Sequence, residues 1–488
     1  MKIRTRTLVN EVIGYGVGAA VNRILGIVVA CIYPILLSRD EYGRLDVIFS
    51  VTSLLWVVFF IGLDGALARF YYEYEDETQR RGLVSTVFYA VMSFTLISVG
   101  VLLIVSRPLA LWLYGDPRYI LYLRLALLAM PFMMANGVQL VVLRLERRVR
   151  AFNLIMIGNL VAASAIGIGS ILWFKIGAAG MLTGFIAGNL TTAVAGIILN
   201  RREIFASPAP GRLRPLMQIG IPLVFAGAAL WLIGYVNRPI LVHWVSADDL
   251  GLYAIASGAV GMMALVIGAF RNAWQPFAFS IMGSEGADAF YGRTLTLFTV
   301  VAATIAACGT LFAPEALLIL NAYTRKNWSG AAPVIGPLAM GTLLSAMYFV
   351  VQTGVYIARR TSIIGFTMGI GAAINIALNF ALIPPLGIVG AALATGLGHL
   401  AALISLYTLA QRVLPIPYQR TKLIAVVLVA GGMIALAPLV NTGFILKDLL
   451  LKAGVLALYG AAVLATRAIT LNDLAILWKM DWRIDDQR

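Results

Sequence analysis

Four arginines stand where so apolar a chain should carry no charge. Arg23, Arg124, Arg238 and Arg271 each lie within a run of about 20 mostly apolar residues. An arginine at the centre of a membrane helix costs roughly 2.5–3.5 kcal/mol on insertion scales, so it should face a wet cavity or a partner. Its planar fork matches a phosphate bidentately and keeps its charge at any working pH. Arg23 follows Asn22, and Arg238 follows Asn237. An amide beside a guanidinium adds hydrogen bonds suited to sugar hydroxyls. The pattern suits an anionic headgroup carrying sugars, with Arg23, Arg238, Asn22 and Asn237 as its first ligands.

The remaining polar residues suggest positioning or coupling. Arg23 sits about 11 residues into its span, roughly 16 Å at 1.5 Å per residue, too deep to reach the surface comfortably. Arg271 lies toward the end of span 8, and its neighbour Asn272 aligns with Asp64 of span 2. Asp64 and Arg271 are therefore expected to meet as a latch, and Arg271 is also a candidate substrate ligand. Asp64 is also a candidate proton or sodium carrier, since burial raises a carboxyl pKa unless a cation holds it charged. Arg124 reads as an interfacial anchor or a further ligand. His399 falls where Asn189 stands in the first half, which favours a helix–helix hydrogen bond, and His243 beside Trp244 reads as interfacial. Cys31 and Cys308 lie inside spans and imply no disulfide framework.

The elements that must hold these residues follow from composition. The chain has 488 residues, 61% hydrophobic and 12% charged. Soluble domains are usually about 25% charged, so an all-α polytopic membrane protein is expected. We count about fourteen spans, from one near 12–37 to one near 450–468. With both ends on one side, 24 of the 37 Lys and Arg share that side and 9 lie opposite. This bias places the termini in the cytosol, explains the net charge of +15 without nucleic acid, and attracts anionic lipid headgroups.

The chain also repeats itself. GAAGMLTGFIAGN from Gly177 parallels GIVGAALATGLGH from Gly387, with small residues every fourth position: Gly180, Gly184 and Gly188 against Gly390, Ala394 and Gly398. Such spacing lets helices approach closely. SRDEYGRL (38–45) parallels SADDLGLY (246–253), and Arg147-Arg148 parallels Arg359-Arg360. Two parallel six-helix halves are expected at 1–206 and 207–412, followed by helices 13 and 14 at 413–470 and an interfacial tail at 471–488. Duplicated bundles of this kind hold substrate between the halves and rock one against the other. Prolines 131, 222, 276, 337, 384 and 385 inside spans bend helices or free backbone carbonyls.

The stretch from Asn375 through Asn379, Pro384, Gly387 and Gly390 to Thr395, with the YGRL turn at 42–45, resembles the polysaccharide-exporter flippases. These belong to the multidrug, oligosaccharidyl-lipid and polysaccharide exporter superfamily. The resemblance covers essentially the whole chain. It implies a V-shaped pair of bundles with alternating access, without a fixed catalytic signature. In the bacterial branch it implies an undecaprenyl-pyrophosphate-linked oligosaccharide moved from the cytosolic to the outer leaflet of the plasma membrane. A polysaccharide polymerase and chain-length machinery are conceivable partners. A multidrug exporter driven by sodium or protons is the alternative, but four interior arginines against Asp64 favour an anionic cargo. A membrane-embedded polymerase or acyltransferase would need a His/Asp constellation or a large outer loop. Asp248-Asp249 reads as a turn instead. No GxxxxGK[ST] loop for ATP occurs.

Overall fold

Apolar runs bounded by caps and glycines give helices throughout the computed structural model, which describes residues 5–441 and 445–468. The expected tail at 471–488 lies outside the described residues. In chain order the first helices are α1 (Thr5–Leu36), α2 (Arg39–Phe60), α3 (Leu63–Phe70), α4 (Glu77–Ile104), α5 (Ser106–Tyr114) and α6 (Arg118–Leu145). There follow α7 (Val149–Phe174), α8 (Ala178–Leu199), α9 (Arg201–Ile204), α10 (Leu213–Tyr235), α11 (Asn237–Leu241) and α12 (Ala247–Ser280). The last are α13 (Ala287–Leu311), α14 (Ala313–Thr324), α15 (Ala332–Ile357), α16 (Ser362–Val413), α17 (Arg420–Leu436) and α18 (Ile445–Ala465). No strand occurs among the described residues.

Twelve helices among the described residues are long and apolar enough to cross a membrane. This differs from the expected fourteen for two reasons. α16 runs for 52 residues, more than twice what a bilayer of about 30 Å requires, and breaks at Gly387, so it holds two of the expected spans. The span expected at 250–275 lies inside α12. The protein is a multi-pass membrane protein, and its exposed Ile97, Ile104, Leu154, Phe225 and Leu428 suit contact with acyl chains.

Matched sequences make matched local structure. Gly177 (φ 55°, ψ −134°) and Gly387 (φ 54°, ψ −132°) hold the same backbone conformation, one that a side chain would strain. Ser38 caps α2 by accepting from the Glu41 amide at 3.1 Å, while Glu41 accepts from the Ser38 amide at 3.0 Å. Ser246 accepts from the Asp249 amide at 3.1 Å and donates to its carboxylate at 2.7 Å, so both turns use the same serine. Arg147 and Arg359 both take φ of 56° as they end α6 and α15.

The chain packs as two compact units, 1–254 with 323–325, and 255–322 with 326–488. The packing boundary falls inside α12, not at the 206/207 position expected from the sequence repeat. In the first unit α7 and α8 meet through small residues, where a methyl on Gly184 or Gly188 would overlap Gly167 or Ala163. α10 lies along α2 and α3: Trp231 Nε1 donates to Ser50 O at 2.8 Å and to Ser53 Oγ at 2.9 Å. α2 stops at Ile61 and Gly62, both left-handed, where the Gly220 backbone of α10 packs against them. In the second unit α13, α15 and α17 surround one another and α16 packs on α15. Fully buried Lys452 of α18 pairs with Glu315 of α14, which ties those helices together.

Candidate functional site

The first unit gathers four asparagines around one largely apolar hollow. Asn22 and Tyr33 of α1, Trp56 of α2, Asn136 of α6, Asn159 of α7 and Asn189 of α8 all line an open cavity of 390 Å³. Asn136 Nδ2 donates to Asn189 Oδ1 at 3.1 Å and to Thr192 Oγ1 at 2.9 Å. Asn159 Nδ2 reaches the same two acceptors at 3.2 and 3.0 Å. The small-residue face that brings α7 onto α8 is what lets two asparagines share those partners. Asn22 Oδ1 and Asn136 Oδ1 are buried without a hydrogen-bond partner. Two orphan acceptors in an open hollow can take a water, a hydroxyl or a hydrated cation. Among the described residues no group of three or more His, Cys, Asp or Glu could hold a metal ion.

Arg23 follows Asn22 on α1, about 100° further round the helix, and is exposed. No carboxylate pairs with it among the described residues. It offers five N–H donors midway along an apolar helix, beside an amide-lined hollow.

Arg238 is differently placed from the expectation that it would share a wet face with Arg23. It is 6% exposed, and its Nε donates to Asp46 Oδ2 of α2 at 2.8 Å. Its Nη1 donates to Gly234 O at 2.9 Å and Asn237 Oδ1 at 3.2 Å, and the guanidinium lies over Tyr235 and Tyr253. Asn237, fully buried, donates to Tyr253 Oη at 2.6 Å. The physical cause is α10 and α11 lying along α2, which brings Asp46 within reach and satisfies a buried cation. Arg124 is exposed and donates to Ser106 Oγ at 2.9 Å, an anchor to the start of α5. Asp64 is exposed in the first turn of α3. In the second unit Arg271 is exposed and stands 4.1 Å over the Phe349 ring. His399 is half-buried beside Gly341.

Two features escaped the sequence reading. Asp46 stood at the edge of its span and was not weighed as an intramembrane carboxylate. The mid-span amides Asn136, Gln139 and Asn159 carried a signal too, for a buried amide demands partners as a charge does. A second buried arginine, Arg44, lies two residues before Asp46 in the first turns of α2. It is 3% exposed, donates to Asp40 at 2.9 Å and pairs with Asp116. Burial raises the Asp116 pKa, but hydrogen bonds from Arg118 and Arg44 outweigh it and hold the carboxyl well below the usual range.

Residues 8–282, more than half the chain, match the family described as polysaccharide biosynthesis protein. The chain belongs to the polysaccharide biosynthesis protein family. A relative in this comparison, an uncharacterized membrane protein of Methanocaldococcus jannaschii, is 26% identical over 254 residues. That stretch covers 49% of this chain and 46% of the relative, so the match spans about half the relative's length. Among solved structures, the family member described here is similar to lipid II flippase MurJ in an inward closed conformation. The TM-score is 0.71 at 13% identity, over 92% of this chain and 98% of that one. It is also similar to an inward-facing multidrug resistance MATE family transporter of the MOP superfamily. There the TM-score is 0.63 at 12% identity, over 80% and 94% of the two chains. The fold is therefore the all-helical exporter fold shared by MurJ and the MATE transporters.

Proposed function

We propose that this protein is a flippase which moves an undecaprenyl-pyrophosphate-linked oligosaccharide from the cytosolic to the outer leaflet of the bacterial plasma membrane, for surface polysaccharide export. Both termini face the cytosol in this reading, the cycle is alternating access, and no covalent chemistry is done on the cargo. Arg23 carries the reading: an exposed guanidinium without a carboxylate partner, midway along α1 and next to an amide-lined hollow. Its charge suits a pyrophosphate, and neighbouring amides suit sugar hydroxyls. Arg238 and Asn237 are a second cation–amide pair, closed on Asp46 and Tyr253 in this conformation. They become available to cargo when that contact opens. Membership of the polysaccharide biosynthesis protein family and the exporter fold support the same reading, as does the likeness to MurJ, a lipid II flippase.

The second reading is a cation-coupled multidrug exporter. Cationic drugs favour acidic walls, whereas this hollow has no carboxylate among its lining residues, which are mostly apolar with four asparagines, and it lies beside an arginine. The test is transbilayer movement of a lipid-linked oligosaccharide in proteoliposomes containing the full chain. Movement that depends on Arg23 supports the flippase. Drug efflux without lipid movement supports the alternative.

A further inference from the structure

The turns after the second, fourth and sixth crossing helices of the first unit converge on a hollow of 940 Å³ that the proposed transport path does not use. Tyr72 Oη donates to Leu145 O at 2.8 Å, Ser85 Oγ to Ala206 O at 2.8 Å, and the Ala209 amide to Thr86 Oγ1 at 2.8 Å. Those bonds hold the walls. Five arginines line the hollow, Arg80, Arg81, Arg148, Arg201 and Arg202, against the carboxylates of Glu77, Glu146 and Glu203.

The arginines are not all committed. Arg80 donates to Tyr74 O and stands over the Tyr71 ring. Arg148 bridges Glu146, Leu199 O and Asn200. Arg81 gives one Nη2 bond to Glu77 at 2.6 Å, but its Nε is buried without a partner. Arg201 and Arg202 are exposed, and no carboxylate pairs with them among the described residues. Tyr72 and Ile198, 56% and 63% exposed, stand at the same hollow. Unpaired guanidiniums beside exposed apolar side chains, where helices leave the apolar layer, match a phosphate that carries acyl chains. A bare anion would have no use for the apolar part.

We infer that this hollow binds the phosphate of an anionic membrane phospholipid, with the headgroup on Arg81, Arg201 and Arg202 and the chains along Ile198. Burial and the neighbouring Glu203 raise the Glu146 pKa, against the opposing pull of Arg148 and Arg81. The site is separate from Arg23, so its failure and failure of the flippase reading are distinguishable.

The test uses the full chain purified in detergent, with thermal stability followed as phosphatidylglycerol, phosphatidylcholine or inorganic phosphate is added. Phosphatidylglycerol should stabilise the wild type far more than phosphatidylcholine. Arg201→Gln/Arg202→Gln should weaken that response at least tenfold in half-maximal lipid concentration. The control Arg359→Gln/Arg360→Gln, a double arginine in the second unit that corresponds to Arg147-Arg148, should leave it unchanged. Arg81→Lys, which keeps the charge but loses Nε, supplies an independent variant should the double change impair folding, and it should weaken the response too. Equal stabilisation by both lipids, or equal loss in both double variants, overturns the site. Inorganic phosphate acting as well as the lipid at the same concentration overturns the lipid assignment.

Discussion

Gly43 and Gly251, matched positions of the duplicated turn, pack against each other so closely that a methyl on Gly43 would overlap the Gly251 amide nitrogen. A methyl on Gly251 would overlap the Arg39 carbonyl. The Arg39–Asp248 ion pair, at 2.8 Å, closes over the same contact. Each turn needs its glycine because the other turn occupies the space.

Gly43→Leu is therefore expected to push α2 from the start of α12. Overpacking of this kind costs about 1–3 kcal/mol. The thermal midpoint of the purified protein should fall accordingly, while Gly115→Leu, at a position with no neighbour near its Cβ but a left-handed backbone, should lose stability only through strain. Equal stability of Gly43→Leu and wild type would show that the contact is dispensable.

Asp46→Ala strands the Arg238 guanidinium, which is 6% exposed. Breaking a buried ion pair from one side costs about 3–5 kcal/mol, whereas replacing both partners with apolar residues costs far less. Asp46→Leu/Arg238→Met should consequently be more stable than Asp46→Ala. A double-mutant cycle by chemical unfolding should give a coupling of about 1–3 kcal/mol. Additive single effects would deny the pair any energetic role.

Arg23→Ala is expected to abolish lipid-linked oligosaccharide movement while the protein stays inserted and folded. An exposed side chain without a partner contributes about 0.5 kcal/mol or less to stability. Arg23→Lys keeps the charge but loses the fork, and should retain part of the activity. Full activity in Arg23→Ala, scored by proteoliposome flipping and by restoration of surface polysaccharide, removes Arg23 from the mechanism.

Asp116 gives a pH signature. Its folded pKa is depressed, so its contribution is present above the unfolded value of about 3.9 and is lost as pH falls through the folded value. The stability gap between wild type and Asp116→Asn should be constant above about pH 5 and shrink steadily below about pH 4. Melting curves across that range check it; a gap that widens with acid would reverse the sign and refute the assignment.

Much of the fold was legible because it is locally encoded. Ser38 and Ser246 announce their caps three residues ahead, and Gly177 and Gly387 mark the same unusual backbone in both halves. The small-residue spacing in Gly180, Gly184 and Gly188 anticipates the tight seam of α7 and α8. Site residues were legible as types but not as partners. Arg238 looked like Arg23 in sequence because each is an arginine after an asparagine in an apolar run. Asp46, 192 residues away, separates their fates.

The sequence by itself determined the helical, membrane-crossing class and the paired glycine and serine turns, since hydropathy, periodicity and glycine conformation act within a few residues. Only the tertiary structure decided which polar groups satisfy one another. Asn136 and Asn159 converge on Asn189 and Thr192, Arg238 closes on Asp46, and Arg201 and Arg202 remain without carboxylate partners among the described residues. Pairing in a low-dielectric interior depends on which helices lie side by side, and that is settled by the packing of whole helix faces, not by any one stretch of chain.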